Sequence, residues 1–550
     1  MRNRILSVAT LLVAGFAQAL ACTNFIVGKA ASKDGSVIVS YSADSYGMFG
    51  ELYHFPAAKH AKDAMRKIYE WDSGKFLGEI KEAPETYNVI GNMNEYQVTI
   101  GETTFGGRSE LRDKNGIMDY GSLIYVALQR SRTAKEAIKV MTELVKEYGY
   151  YSSGESFSIA DPNEAWILEM IGKGEGVKGA VWVAVRIPDD CIAAHANQAR
   201  IHQFPLNDKE NCIYSPDVIS FAREKGYFDG LNKDFSFANA YCPIDFGGLR
   251  ACESRVWSFF NMFNKEAGEK YLPYIEAKTK EPMPLYIKPD NKVSVRDIQW
   301  AMRDHYEGTP LDITNDAGAT PYQMPYRLSP LTFEVNGQKY FNERPISTQQ
   351  SAFTFVAQMR SGMPNEVGGV LWFGTDDANM MVFTPVYCCT NRQPLCYSEK
   401  IADCVTFSWD SAFWIYNWVA DMVRPRYSLM IDDMRKVQNK LEDTYADVQA
   451  GIESAALAMY GNDPKKAVEF LTNYTEMTAE CAVDTWKKLG EYLIVKYNDG
   501  VVKRTNEDGS FVRPRYEEGN GAPVIRPGYP KEFLETIVKA TGDRYKVYCE

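Results

Sequence analysis

Histidine is scarce in this sequence of 550 residues, and two common catalytic motifs are missing from it. There are five histidines and no H-E-x-x-H motif, which argues against a zinc peptidase of that type. The motif G-x-S-x-G is also absent, because the segment from Gly154 to Ser158 ends in serine where glycine is required. A serine hydrolase with that motif is therefore disfavoured as well.

Positive charge is also in short supply. The chain carries 61 lysines and arginines against 72 aspartates and glutamates, a formal net charge of −11. This acidic balance argues against nucleic acid as a partner. After the first 21 residues no apolar run is long enough for a transmembrane helix, so the sequence predicts no membrane span.

Residues 1–21 have the form of a cleaved secretory signal. Arg2 and Arg4 precede an apolar stretch too short to cross a bilayer, and Ala19 and Ala21 form a cleavage site before Cys22. We therefore expect an exported protein, periplasmic or extracellular, whose mature chain begins at Cys22. That chain would carry 59 basic against 72 acidic residues, a formal charge of −13.

A cysteine directly after a signal has an alternative interpretation. Bacterial lipoproteins also begin with cysteine, which is then lipidated and anchors the protein to a membrane. That processing favours leucine at the third position before the cysteine and a small residue at the second. Here Ala19 and Leu20 occupy those positions in the reverse order, which disfavours a lipoprotein.

The chain has 11 cysteines, more than is usual for a protein of a reducing compartment. Setting Cys22 aside leaves ten cysteines, a number compatible with disulfides whose pairing the sequence does not give. Cys388, Cys389, Cys396 and Cys404 cluster, but their spacing lacks a C-x-x-C pair, which disfavours zinc. We expect no metal and no organic cofactor.

The mature chain divides into a strand-rich body, residues 22–407, and a mainly helical region, residues 408–550. Strands are predicted at 23–27, 36–40, 96–100, 165–170, 181–186 and 370–373. Helices are predicted at 133–148, at 409–449 with a break at Pro425, at 463–472, at 478–497 and from Lys531. Strands and helices come in groups, which favours an α+β fold over a doubly wound sheet. Because Asp34-Gly35 is typical of a hairpin turn, Cys22 is predicted to begin an ordered strand.

An N-terminal cysteine supplies two functional groups from one residue. The thiol is a nucleophile, and the free α-amine, with a reference pKa of about 7.7–8.0, can accept the thiol proton. The thiolate can then attack a carbonyl and form an acyl-enzyme that water releases. Before cleavage the nitrogen of Cys22 is part of a peptide bond, so processing would switch the activity on. The alternative is a structural cysteine that follows the signal by chance.

Several motifs occur in order from Cys22 to the middle of the chain. They are Cys22-Thr23, Val27 to Lys29, Asp34 to Ser36, Asp44, Gly91 to Tyr96, Ala160 to Pro162, Trp166 to Glu169, His195 to Ile201, and Ser254 to Trp257. Together they resemble the N-terminal-nucleophile cysteine dipeptidases, within the superfamily of penicillin acylases and bile-salt hydrolases. This resemblance implies a four-layer αββα sandwich and a dipeptide substrate.

The resemblance also implies roles for five residues. Cys22 would be the nucleophile and, through its amine, the base. Asp44 would orient the terminal amine and thiol, and Asn94 would be an amide donor of the oxyanion hole. Asn197 would be a second active-site amide, and Arg255 would hold the polar network together. From the residues alone, Asn94 could equally be a turn asparagine and Arg255 a buried structural arginine.

One position departs from the family pattern. Relatives carry arginine where this chain has Tyr41, three residues before Asp44. The missing charge could alter the thiol pKa or shift substrate preference, and Tyr41 could donate a hydrogen bond instead. Glu102, Arg108 and Arg200 lie near the motifs and are candidates to bind the substrate's amine and carboxylate.

Two other functions stay open on the sequence. An amidase of the same fold, acting on acylated amino acids, penicillin-like amides or bile-salt conjugates, would keep every catalytic assignment and change only the pocket. A non-enzymatic surface lipoprotein would use Cys22 as its lipid anchor. The oligomeric state is also left open, with a homo-oligomer among the options.

Overall fold

A computed structural model of the chain describes residues 22–328, 331–513 and 521–548. Its signal-like residues 1–21 therefore lie outside the described residues. The β-strands are β1 (Thr23–Val27), β2 (Val37–Asp44), β3 (His54–Phe55), β4 (Ala58–Lys59), β5 (Met65–Tyr69), β6 (Phe76–Lys81), β7 (Glu85–Thr86), β8 (Val89–Ile90), β9 (Met93–Asn94), β10 (Thr99–Gly106), β11 (Gly154–Ala160), β12 (Ala165–Gly172), β13 (Ala180–Ile187), β14 (Ile192–His195), β15 (Cys212–Tyr214), β16 (Tyr286–Ile287), β17 (Thr332–Val335), β18 (Gln338–Phe341), β19 (Ser351–Met359), β20 (Gly369–Thr375), β21 (Thr384–Tyr387), β22 (Val502–Lys503) and β23 (Val524–Ile525).

The α-helices form two groups, one between the strands and one near the C-terminus. They are α1 (Tyr120–Leu128), α2 (Ala134–Tyr148), α3 (Val218–Glu224), α4 (Phe237–Tyr241), α5 (Ser254–Phe263), α6 (Lys265–Ile275), α7 (Val295–Ala301), α8 (Asn365–Gly368), α9 (Ala412–Val423), α10 (Tyr427–Tyr460), α11 (Pro464–Tyr497) and α12 (Lys531–Thr541).

The first large sheet places the strand that follows Cys22 near its centre. Its seven strands run in the order β16, β14, β1, β2, β19, β20, β21 and pair antiparallel. β1 and β2 form the predicted hairpin, with Thr23 opposite Ser42. Every residue of both strands is buried, so this hairpin holds Cys22 inside the molecule.

The second large sheet is an antiparallel meander with short strands at one edge. Its order is β15, β13, β12, β11, β10, β9, β8, β3. Along β12, Trp166 and Leu168 pack with α1 and α2, whereas Ala165 and Ile167 belong to the core shared with the first sheet. This alternation is the two-residue period of a strand that is buried on both faces.

The two sheets contact each other through β1 and β2 on one side and β10 and β11 on the other. Helices α1 and α2 contact the second sheet, while α5, α7, α9 and α11 contact the first. The elements therefore follow the order helices, sheet, sheet, helices. The predicted mixture of helices with antiparallel sheets, and the helical C-terminal region, are confirmed.

The C-terminal helices follow the prediction with one difference. The break at Pro425 is present, as a 3₁₀ turn at Arg424–Arg426 between α9 and α10. The two helices predicted at 463–472 and 478–497 are instead one continuous helix, α11. The polar residue Thr475, between the two predicted helices, does not interrupt α11: its hydroxyl accepts from the N–H of Tyr387 on β21, against which the helix packs.

Smaller expectations have mixed outcomes. The strand predicted at 96–100 is wrong at its start: Gln97 has φ 64° in a turn, and β10 begins at Thr99. The predicted strands at 165–170, 181–186 and 370–373 are confirmed by β12, β13 and β20. The helix predicted at 133–148 is confirmed by α2, whose N-cap Thr133 accepts from the N–H of Glu136.

The cysteine count is compatible with disulfides, but none forms among the described residues. All ten cysteines in the described part of the chain are unpaired, and Cys549 lies outside it. The described residues also contain no group of three or more His, Cys, Asp or Glu side chains arranged to hold a metal ion. Within the same ranges, no helix has the length and apolar character needed to cross a membrane.

Candidate active site

Cys22 lies immediately before β1 at the interface between the two sheets, with 2% of its surface exposed. Its Sγ donates to Oε1 of Glu102 over 3.4 Å and lies 3.7 Å from the hydroxyl of Tyr41. Its main-chain carbonyl accepts from Nη1 of Arg255 at 2.7 Å. The side chain and the backbone of Cys22 are therefore both held by buried polar groups.

Arg255 stands at the start of α5, directly after the π-helical turn Gly248–Glu253. Besides Cys22, Nη1 contacts the hydroxyl of Thr23, and Nη2 donates to Oδ1 of Asn197 at 2.9 Å. Nε donates to its own helix, at the carbonyl of Ala251. The planar guanidinium, with its fixed fork of donors, thus joins α5 to the first strand and to Asn197.

Asn197 follows β14 in a left-handed conformation, φ 62°. Its Nδ2 donates to the carbonyl of Thr104 on β10 at 2.8 Å, while Oδ1 accepts from Arg255. The left-handed region is several-fold enriched in asparagine among non-glycine residues. The side chain therefore bridges the first sheet to the second beside Cys22.

Asp44 ends β2, the strand paired with β1, and is fully buried. Its carboxylate accepts from Ser42, from Ser351, and from Nη2 of Arg344 at 2.5 Å. Its main-chain N–H acts to lower the pKa of the Cys22 thiol. Burial raises the pKa of Asp44, while Arg344, Ser351 and Arg255 act in the opposite direction.

Arg344 brings a positive charge to the site. It is 5% exposed, and besides its ion pair with Asp44 it interacts electrostatically with Cys22 and Arg255. Its position, 300 residues after Asp44, could not be found from local sequence. The charge that Tyr41 does not provide is therefore supplied from a distant segment, just before β19.

Tyr41 and Glu102 form a hydrogen-bonded pair against the thiol. The hydroxyl of Tyr41 donates to Oε1 of Glu102 at 2.7 Å, the same oxygen that faces Cys22. The buried carboxyl group of Glu155, on the neighbouring strand β11, affects the ionisation of Glu102. Burial raises the pKa of Glu102, to about 7, and of Glu155.

The environment of the thiol opposes its ionisation while Cys22 is bonded to the preceding residue. Burial raises the pKa of the Cys22 thiol, and the nearby charges of Glu102 and Asp44 raise it further. Hydrogen bonds from the Asp44 backbone and from Tyr41 act in the other direction. A thiolate at this position therefore needs an additional nearby cation.

The structure does not support the oxyanion role expected for Asn94. Both hydrogens of its amide are donated to main-chain carbonyls, of Leu128 at 2.7 Å and of Ser131 at 2.8 Å. Its Oδ1 accepts from the N–H groups of Tyr96 and Val98. No donor is left for a substrate, so the alternative of a structural turn asparagine describes Asn94 better.

Arg200 is likewise committed within the protein. It is 2% exposed, pairs with Glu253 at 2.9 Å, and donates to the carbonyls of Ala194 and Pro284. It braces the strand-to-helix connections and is not available to bind a substrate carboxylate.

Arg108 is held by groups other than Cys22. It lies six positions beyond Glu102, after the left-handed Gly106 and Gly107, where β10 ends. Its guanidinium stacks 3.8 Å from the ring centroid of Tyr227, and Nε donates to the carbonyl of Ala240. The structure therefore keeps Glu102 and Tyr41 next to the thiol, but not Arg108.

His195, within one of the sequence motifs, is not placed as a base. Its Nδ1 and Nε2 hydrogen-bond the hydroxyls of Thr103 and Ser158 at 2.7 Å each. Burial lowers the pKa of His195 to about 3, so the ring stays neutral at physiological pH. It ties β14 of the first sheet to β10 and β11 of the second.

Comparison with known proteins identifies a family and several relatives. The chain matches the model of Peptidase family C69 over residues 21–70 and 52–440. It is similar to a probable dipeptidase of Salmonella dublin, 27% identical over 409 residues that cover 70% of this chain and 85% of the relative. It is also similar to dipeptidase A of Lactobacillus helveticus, 25% identical over 77% of this chain and 84% of the relative. A probable dipeptidase of Latilactobacillus sakei is 24% identical over 84% and 93%.

The buried Cys22 with its polar partners and the matched family together define the protein as a cysteine-type peptidase. The chain belongs to Peptidase family C69. The predicted resemblance to N-terminal-nucleophile cysteine dipeptidases and the predicted enzyme class are thereby confirmed.

Reasoning from sequence missed three groups of the site. Arg344 and Ser351 are distant in sequence from Asp44, which they contact, and carry no motif. Glu155 stands in the segment from Gly154 to Ser158, which drew attention only as a failed serine motif. The sequence did contain one signal for Glu155: it is an acidic residue within a strand whose other residues are small or apolar, and such a buried acid needs an explanation.

Proposed function

We propose that the protein is exported, loses residues 1–21, and then hydrolyses dipeptides with Cys22 as an N-terminal nucleophile. One observation carries the proposal: the residue expected to become the terminus lies buried in a site where Arg255, Asp44, Tyr41 and Glu102 contact it. A cysteine placed there by chance would not need such partners. The names of the relatives, each a dipeptidase or probable dipeptidase, suggest the substrate class.

Cleavage changes the electrostatics of the site. Before it, the nitrogen of Cys22 is an amide and carries no charge. After it, the α-amine is protonated part of the time, and an ammonium near the thiol favours the thiolate. That ammonium is the additional cation the precursor lacks. The neutral amine then accepts the thiol proton for attack on the substrate carbonyl.

The proposal extends to the architecture. Residues 22–407 would form an αββα catalytic domain of the N-terminal-nucleophile hydrolase type, and residues 408–550 a helical region packed on it. The order of layers and the position of Cys22 at the inner end of a central strand support this assignment.

The test combines the mature terminus with activity. We expect the intact mass to begin at unmodified Cys22, and Cys22→Ala to lose activity on a panel of free dipeptides by at least about 1,000-fold. Cys191→Ala, another buried cysteine without partners in the site, is the matched control and should stay active.

Three outcomes would contradict the proposal. Full activity of Cys22→Ala removes the nucleophile, and a diacylglyceryl mass shift on Cys22 supports the lipoprotein alternative. Hydrolysis of N-acylated amino acids only, with free dipeptides untouched, replaces the dipeptidase with an acyl-amide hydrolase of the same fold.

A further inference from the structure

Two buried carboxyl groups lie side by side next to the candidate nucleophile. Glu102 on β10 and Glu155 on β11 are each 1% exposed. Thr104 pairs with Glu155, and Glu102 lies two positions from Thr104, on the same face of the sheet. The two side chains are therefore diagonal neighbours on one face of the sheet, and the Glu102 carboxyl group reaches the Cys22 thiol from this position.

The pair has no cationic partner among the described residues. Glu102 accepts from the hydroxyl of Tyr41 and from the Cys22 thiol, and Glu155 accepts from the hydroxyl of Thr104 at 2.7 Å. All three donors are neutral. The arginines closest to the site are committed elsewhere, Arg255 to carbonyl and amide oxygens and Arg344 to Asp44. Burying an acid without a cation is costly, so a positively charged ligand would be held strongly here.

Buried acceptors without a protein donor lie on both faces of β10 at this position. Within the described chain, Oε2 of Glu102, Oε2 of Glu155 and Oδ1 of Asn24 receive no N–H donor and no hydroxyl. Asn24 donates through its amide nitrogen to the main-chain oxygen of Glu102 at 2.6 Å, and its Oδ1 lies against Gly101, on the face opposite to the two carboxyl groups. A ligand that complements only acceptors must be a donor. An ammonium group carries three N–H donors and one positive charge.

The distance to the nucleophile fits the amine of a substrate. Oε1 of Glu102 is 3.4 Å from Sγ of Cys22. A carbonyl carbon in position for attack lies about 3–3.5 Å from the thiol sulfur. The α-nitrogen of the residue that carries this carbonyl is two bonds away, about 2.5 Å. The carboxyl group is thus within reach of that nitrogen.

We propose, on the basis of the dipeptidase function above, that Glu102 and Glu155 form the receptor for the substrate's free α-ammonium. The pair selects dipeptides over N-acylated analogues, because an acylated nitrogen is neutral, has one hydrogen and carries added bulk. Tyr41, which occupies the position of the family arginine, leaves Glu102 without a competing cation and holds it with a neutral hydrogen bond.

The experiment compares free Ala-Ala with N-acetyl-Ala-Ala in the processed enzyme at pH 7.5. In Glu102→Gln we expect kcat/KM for Ala-Ala to fall by about 100-fold or more, because a buried polar site strongly rejects a mismatched partner. Any change that the substitution causes in the Cys22 thiol affects both substrates, so the expected signature is the ratio: kcat/KM should fall more for Ala-Ala than for the acetylated substrate, and the preference for the free amine should collapse. Inhibition by alaninamide, a cation without a scissile peptide bond to a second residue, should weaken by about 10-fold or more.

Glu155→Gln is the second variant. It should also reduce the preference for Ala-Ala and weaken inhibition by alaninamide, so the proposal can still be tested if Glu102→Gln does not fold. Glu453→Gln is the matched control. Glu453 is also buried but pairs with Arg360 far from the site, and its variant should keep the wild-type preference.

The results separate this inference from the proposed function. If the wild-type enzyme cleaves no free dipeptide, the proposed function itself fails. If the wild-type enzyme cleaves Ala-Ala and folded variants of Glu102 and Glu155 keep both the preference and the alaninamide inhibition, the receptor is wrong while the dipeptidase stands.

Discussion

At the scale of residues, the positive charge next to Asp44 comes from a segment distant in sequence. Arg344 pairs with Asp44, and Tyr41 stands where the family resemblance leads us to expect arginine. Tyr41 gives Glu102 a neutral hydrogen bond, so this position provides no ion pair for Glu102.

Arg344 should therefore control the ionisation of Cys22. In Arg344→Met the pKa of the Cys22 thiol should rise, because a cation that favours the thiolate is removed, while Arg344→Lys should shift it less. The measurement is the pH dependence of iodoacetamide alkylation of the processed protein, alongside kcat/KM. The thermal unfolding midpoint of each variant must be recorded as well, since Asp44 loses its buried partner. Identical alkylation profiles in wild type and a folded Arg344→Met would show that this charge does not act on the thiol.

Asn94 provides a test between a catalytic and a structural asparagine. Its amide holds the carbonyls of Leu128 and Ser131 after α1, so Asn94→Ala should lower the free energy of unfolding by about 1–3 kcal/mol. The rate per folded molecule should change by less than about 3-fold. An oxyanion donor would instead cost about 100-fold or more in kcat with little effect on stability. Denaturant unfolding and active-site titration distinguish the two results.

Sequence could identify the residues of the site only where they stand in motifs. Cys22, Asp44, Asn197 and Arg255 lie in matched segments and meet in space. Arg344 could not be predicted, because its contact with Asp44 depends on how the segment before β19 crosses the end of β2. Asn94 was misassigned because a motif fixes residue types and not the direction of a side chain.

At the scale of elements, close helix packing near the C-terminus depends on one glycine. Gly490 lies within α11, where an added Cβ would stand 2.2 Å from the ring of Trp418 on α9. The ring of Trp418 also packs edge-to-face on that of Trp409. Gly451 in α10 is the matched control, as nothing lies within 4 Å of its added Cβ.

These two glycines should respond oppositely to alanine. Gly490→Ala should lower the free energy of unfolding by about 1–3 kcal/mol through overpacking, despite alanine's better helix propensity. Gly451→Ala should raise it by up to about 1 kcal/mol, since only propensity acts there. Urea denaturation followed by circular dichroism measures both. Equal effects of the two substitutions would mean that α9 and α11 do not approach as closely as the structure has them.

Most elements could be predicted from local patterns, and the exceptions have physical causes. The Asp34-Gly35 turn and the apolar strand around it predict the β1–β2 hairpin that carries the site. The start of β10 could not be predicted, because Gln97 takes a left-handed turn that Asn94 organises through Val98. The continuity of α11 depends on its packing against β21 and α10, and local composition cannot predict such long-range contacts.

At the scale of the whole molecule, a buried polar junction joins the first sheet to the C-terminal helices. Asp376 follows β20 with φ 72°. Its carboxylate and that of Asp377 both face the guanidinium of Arg424, a residue in the turn between α9 and α10. Tyr326 donates to Asp377 in the same cluster. Oδ2 of Asp376 has no hydrogen-bond donor among the described residues. Burial raises the pKa of Asp376 to about 8, with Asp377 adding to the rise and Arg424 opposing it.

This shift predicts how stability depends on pH at the junction. An unfolded aspartate ionises near pH 4, so between about pH 4 and pH 8 the folded state holds a proton that the unfolded state has released. The contribution of Asp376 is therefore fully present below about pH 4 and is lost as pH rises through 8, by at most about 1.4 kcal/mol per pH unit. The substitution Asp376→Asn removes this titration, and an asparagine side chain also accepts a left-handed backbone.

We therefore expect Asp376→Asn to gain stability relative to wild type as the pH is raised from 5 to 8. Urea denaturation at pH 5, 6.5 and 8 measures the difference in unfolding free energy at each pH. Asp410→Asn is the control, because Asp410 is an exposed partner of Lys487 and its effect should be small and constant. If the stability difference between Asp376→Asn and wild type is the same at all three pH values, Asp376 is ionised in the folded protein. Its charge would then be balanced by Arg424, and the junction would act as an ion pair instead of a proton-holding contact between the sheet and the helices.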